Sequence, residues 1–203
     1  MRRVIVATSN QHKAMELEEM LNLEDYSLET MADAGIQSDP VEDANTFVGN
    51  AQIKARAAHE ICVAQGINAC VLADDSGICV DALNGEPGVL SARYAGEGAG
   101  QPAINAKLFK NLEGVPFEER TAHFSCALVF IDEDGVETCV DGKVYGRVGF
   151  EAVGDFGFGY DPIFYPSEFN FEKSLGEVSA EEKNKISHRA RACTALREQL
   201  CCE

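Results

Sequence analysis

Two adjacent aspartates, Asp74 and Asp75, close the apolar run ACVLADD and are followed at once by Ser76 and Gly77. Carboxylates at the carboxyl end of a strand suit two tasks, holding a hard cation through oxygen and polarising a water molecule. If the strand continues through them, the two side chains point in different directions, so both need not serve one ion. Asp, Ser and Gly also build ordinary strand-ending turns, and locally the two readings stand side by side.

Four further groups carry chemistry. Thr8, Ser9, Asn10, Gln11, His12 and Lys13 form a strand-to-helix turn with hydroxyl, amide and ammonium groups, suited to an anion at a helix start. It lacks the glycines of a Walker A loop, and taken alone it reads first as a helix cap. Glu42 and Asp43 precede an N-A-x-x-K-A segment, in which Asn50 and Lys54, four apart, share a helix face. Glu42 completes a magnesium site with Asp75 only if the fold brings them together. Phe158, Gly159, Tyr160 and Asp161 offer a ring to stack on a base, close backbone approach and an acceptor for a purine N–H, or else a hydrophobic turn entering the core. Lys183, His188 and Arg189 gather cationic and titratable groups near a helix start, where Ser187 is the expected cap.

The elements that must position these residues are legible from pattern. Val4 to Ser9 is a short β-branched run that reads as a buried strand. KAMELEEMLN follows as a helix, with Leu17, Met20 and Leu21 toward a core and Glu16, Glu18 and Glu19 toward water. A loop from Ala32 to Asp43 leads to a helix over Thr46 to Gln65, and then to the strand that ends in Asp74 and Asp75. A glycine-rich stretch from Gly85 to Gly100 precedes a helix near Ala103 to Leu112. HFSCALVFID and VETCVDGKVYGRV are strands joined across Glu133-Asp134-Gly135, and the last helix runs from Ser187 to Leu200. Without repeats or linkers, one α/β domain over residues 1–203, a central mixed β-sheet flanked by helices, fits best.

Composition narrows the function. Seventeen basic against 34 acidic residues give a formal charge of −17, the wrong sign for a general nucleic-acid or membrane-surface binder. An enzyme for anionic substrates with this charge needs a local positive pocket and a masking divalent cation. No apolar run reaches bilayer length, and the basic start followed by VIVATS reads as a strand rather than an export signal, so a cytoplasmic location is expected. The eight cysteines contain no C-x-x-C pair, which argues against zinc, and with no export signal read at the start, reduced thiols are expected.

Taken together and in order, these segments resemble the inosine/xanthosine triphosphate pyrophosphatase family over nearly the whole chain. The segments are ATSNQHK, TFVGNAQIKA, ADDSGICVDALNGEPGVLSARYAG, FGFGYDPIF and SAEEKNKISHR. The resemblance implies cleavage of the α–β phosphate bond of ITP, dITP and XTP, in a cleft between two lobes of a homodimeric enzyme. It implies that Thr8 to Lys13 cradle the triphosphate and that Asp75 is the general base, with Ser76 touching substrate. Glu42 and Asp75 would hold Mg²⁺, with Asp74 as a supporting acid. Phe158 to Asp161 would form the base pocket, and Lys183, His188 and Arg189 would read the purine's 6-oxo edge. A pocket donating to a 6-oxo group rejects the 6-amino donor of ATP. Two positions depart from the family pattern: Ser9 stands where relatives commonly have Gly, and Gly49 where they commonly have Glu. The alternatives are a pyrophosphatase for another modified nucleotide and a nucleotide-binding protein without turnover.

Overall fold

A computed structural model describes residues 1–21 and 25–201 of the chain. Six strands lie in the order β2-β1-β3-β4-β5-β6, giving a mixed sheet. They are β1 (Arg2–Val6), β2 (Tyr26–Thr30), β3 (Cys70–Val80), β4 (Thr121–Ile131), β5 (Glu137–Val148) and β6 (Phe164–Pro166). β1 pairs parallel with both β2 and β3, and β5 pairs antiparallel with β6. The helices are α1 (Gln11–Leu21), α2 (Phe47–Gln65), α3 (Gln101–Asn111), α4 (Ala180–Ile186) and α5 (His188–Leu200). Among the described residues no helix is long and apolar enough to cross a membrane.

The chain condenses into two compact units, the first made of residues 1–75, 126–142 and 189–203, the second of 76–125 and 143–188. In the first unit, strand alternation sorts side chains onto two faces. Val4, Val6, Cys70 and Leu72 pack with Leu17, Met20 and Leu21 of α1 and with Ala192, Cys193 and Leu196 of α5. Ile5, Ala7, Val71 and Ala73 face the other way, onto the small-residue stripe Ala51, Ala55, Ala58 and Cys62 of α2. The second unit has its own core, in which Ile78 and Val80 meet Ile104 and Leu108 of α3 and Val144, Val148 and Phe164.

Two expectations are corrected. The strand carrying the aspartates does not stop at them: β3 continues to Val80, so Asp74 and Asp75 lie mid-strand. Glu16 does not face water alone, because it pairs with Arg189. The expected last helix is α5, with Ser187 extended just before it, and α4 is an additional short helix. A strand at Tyr26–Thr30 was not anticipated, since YSLET lacks the β-branched run that marks β1. The end of the helix expected through Asn22 lies outside the described residues.

Candidate active site

Because β3 runs on, its alternation decides what the two aspartates meet. Asp74 shares parity with Cys70 and Leu72 and points to the α1 and α5 side. Lys13 Nζ lies 2.5 Å from its Oδ1, and Arg189 donates to Oδ2 from Nε at 3.3 Å and Nη2 at 3.1 Å. The thiol of Cys126 reaches the same oxygen at 3.3 Å. Arg189 also pairs through Nη1 with Glu16, so its guanidinium is held by carboxylates from two sides. Burial alone would raise the Asp74 pKa, but Lys13 and Arg189 outweigh it and hold the group ionised far below the usual carboxylate range. The same carboxylates keep buried Arg189 charged. Burial beside Asp74 pushes the Cys126 thiol well up, and Cys193 rises to about 12, so both thiols stay protonated.

Asp75 has the parity of Val71 and Ala73 and meets α2 instead. Asn50 donates to Oδ2 at 3.3 Å, and Lys54 Nζ lies 3.1 Å from Oδ1 and 2.8 Å from Glu42 Oε2. Asn50 and Lys54 do share one helix face, and Asn50 also accepts from the Ala44 amide at 3.0 Å, tying the preceding loop down. Burial raises the Asp75 pKa above its usual value, with Asp74 adding to the rise and Lys54 and Lys13 opposing it. A carboxylate with raised proton affinity suits a general base.

The metal ligands expected from the resemblance, Glu42 and Asp75, are thus brought together on one ammonium group. Two hard oxygens converging on a cation fit Mg²⁺, which is commonly held by one or two carboxylates, water and substrate phosphates. Among the described residues no cluster of three His, Cys, Asp or Glu forms a fuller cage. Gly49 cannot be filled simply: a Cβ there would stand 2.7 Å from Ala44 Cβ and 2.9 Å from Thr46 Oγ1, the N-cap of α2. Asp43, the other acid weighed for this role, is exposed.

The turn after β1 is built as a cap. Thr8 Oγ1 accepts from the Asn10 amide and Asn10 Oδ1 from the Lys13 amide, each at 3.2 Å. Ser9, Asn10, Gln11 and His12 are exposed, while Lys13 is drawn in to Asp74. The structure places Ser76 half-buried directly after Asp75.

In the second unit, Asp161 Oδ2 accepts from the Phe158 amide at 2.8 Å and from Lys183 Nζ at 2.7 Å. Lys183 also sits 4.6 Å from the centre of the Phe158 ring, a cation–π contact. Gly159 turns the chain with φ +63° between these groups, and Tyr160 is buried. His188 stacks on Phe124 with ring centres 4.8 Å apart. Lys183 and His188 are thus engaged within the second unit, and Arg189 by carboxylates of the first. The sequence pattern set Glu16 toward water, gave Cys126 no part in the site, and assigned Asn50 and Lys54 nothing beyond a shared helix face. The four-residue spacing of the last two was the available signal.

A mixed sheet with adjacent carboxylates on β3, each met by a lysine from a flanking helix, defines an α/β protein equipped for a charged ligand. The fold matches solved Ham1 proteins from Staphylococcus aureus (36% identical, TM-score 0.84, 98% of each chain) and Coxiella burnetii (34% identical, TM-score 0.87, 100% of each chain). The sequence model of the Ham1 family matches residues 4–199, and the chain belongs to that family. Proteins named dITP/XTP pyrophosphatase from Thermoanaerobacter pseudethanolicus and Bacillus subtilis are 44% and 42% identical to it. Each comparison spans 98% of this chain, and 96% and 98% of the respective relatives.

Proposed function

We propose that the protein hydrolyses ITP, dITP and XTP between the α- and β-phosphates, releasing pyrophosphate and a nucleoside monophosphate, and so removes deaminated purines from the nucleotide pool. The observation that carries the reading is Asp75 itself, a mid-strand carboxylate of raised proton affinity, shared with Glu42 on one lysine. Asp75 takes a proton from water as its oxygen bonds to the α-phosphorus, and the bond from that phosphorus to the pyrophosphate oxygen breaks. Thr8 to Lys13 and Lys54 receive the phosphates, and Ser76 contacts substrate. Asp74 and Arg189 keep Lys13 in place.

Glu42 and Asp75 are the residues that would hold Mg²⁺, which when bound masks phosphate charge and assists the leaving group. Phe158 to Asp161 take the purine, with Phe158 as the stacking ring, and Lys183 and His188 face the 6-oxo edge. The chain works as one catalytic domain over residues 1–203, as a cytoplasmic homodimer without nucleic-acid or membrane partners.

The test is pyrophosphate release from ITP, dITP, XTP, GTP, ATP and pyrimidine triphosphates, with and without Mg²⁺. The expected result is a rate at least about tenfold higher for the deaminated purines, as one hydrogen-bonding mismatch at the base already exceeds that factor. Equal rates with standard nucleotides would sink the reading, and binding without turnover would favour a nucleotide-binding protein.

A further inference from the structure

Ser91 has no part in the groups described so far, yet three segments of the second unit meet at it. The residue is buried, and its Oγ accepts from the Ile78 amide at 3.0 Å while donating to the Gly88 carbonyl at 2.6 Å. Its own carbonyl accepts from the Tyr160 hydroxyl at 2.8 Å. The contact with β3 is close. A Cβ on Gly77 would stand 2.3 Å from Ser91 Oγ and 2.6 Å from the Gly88 carbonyl oxygen, so only glycine lets the 3₁₀ turn Gly88–Arg93 lie against the strand. Tyr160 is buried in the same core, and burial keeps its phenol protonated and hence a donor.

One chain of hydrogen bonds therefore runs from the strand just past Ser76, through Ser91, to the turn that carries Phe158 and Asp161. We propose that Ser91 and Tyr160 form a latch that sets the purine-reading turn against Ser76–Ile78, making both positioning residues for substrate selection. Tyr160 belongs to the pocket through this latch: its hydroxyl is spent on Ser91, and its ring fills the core rather than stacking on a base. The inference rests on the reading of Phe158 to Asp161 as the purine pocket.

Tyr160→Phe keeps the ring and removes only the hydroxyl. Its KM for dITP is expected to rise about three- to tenfold, the span set by one intramolecular hydrogen bond. This rise should exceed any fall in kcat, and the preference for dITP over dGTP in kcat/KM should narrow. Ser91→Ala should act in the same direction, and the double variant should lose no more than the worse single one, because both break one chain. Amide hydrogen exchange, read without substrate, should quicken at Ser76–Ile78 and at residues 158–161 in Tyr160→Phe. A lowered Tm with unchanged KM and unchanged nucleotide preference would show packing alone and overturn the latch, as would additive losses. Should the unaltered protein fail to hydrolyse dITP, the functional reading falls. The latch is then judged by exchange, and unchanged protection at Ser76–Ile78 overturns it. Where Ser91→Ala does not fold, Tyr160→Phe decides alone.

Discussion

Asp74 and Asp75 are the same residue one position apart, yet the two faces of β3 make them chemically different. On the α1 and α5 face, Asp74 is fully enclosed and takes two cations, Lys13 and Arg189, so its charge is fixed. On the α2 face, Asp75 shares the single ammonium of Lys54 with Glu42 and is left with raised proton affinity. Burial is large on both sides. What differs is the number of cations in contact with the carboxylate, two against one, and this separates a charged strut from a group able to take a proton.

The sharpest way to break this contrast is Asp75→Asn. Loss of a general base should lower kcat by about 10²–10⁴-fold, while nucleotide binding stays measurable by calorimetry; near-normal turnover would remove Asp75 from the role of base. The opposite signature is expected on the other face. Asp74→Asn strips the carboxylate from two buried cations and should cost ~3–5 kcal/mol in urea unfolding. The sign of its pH dependence follows from a folded pKa held below the usual 3.8. The stabilisation is fully present above about pH 4 and fades as pH falls toward the folded value. The gap between the two proteins should therefore narrow in acid, and a constant gap would contradict an ionised strut.

A subtler change sharpens the comparison from the α2 side. Lys54→Met removes the cation that opposes burial at Asp75, so the acidic limb of the kcat/KM profile should move to higher pH. An unmoved limb would mean that Lys54 does not tune the base. Smallest is Gly49→Ala. Alanine normally gains about 1 kcal/mol over glycine inside a helix. Here its Cβ meets Ala44, and the net effect expected in thermal unfolding is a loss of about 1–3 kcal/mol. Added stability would show that the loop around Glu42 yields to a side chain at this position.

Much of this was open to reading before any coordinates. The apolar run ACVLADD and the strand patterns on either side of Glu133 to Gly135 announced β3, β4 and β5, and a helix was legible over Thr46 to Gln65, because such patterns are local properties. The two corrections at β3 and Glu16 have one cause. Asp74, Asp75 and Glu16 are polar, and pattern reading places polar residues at ends and surfaces, whereas here Arg189, 115 and 173 residues away, holds Asp74 and Glu16, and Lys54 of α2 holds Asp75.

The sequence by itself determined the segments that could do chemistry, their order and the family they belong to. Motif identity depends only on neighbouring residues. Only the tertiary structure decided that Glu42 meets Asp75 on Lys54, that Arg189 is anchored on Asp74, and that Ser91 joins Ile78 to Tyr160. These pairings are set by long-range strand order and helix packing, and spacing along a chain carries no record of which distant face a side chain will meet.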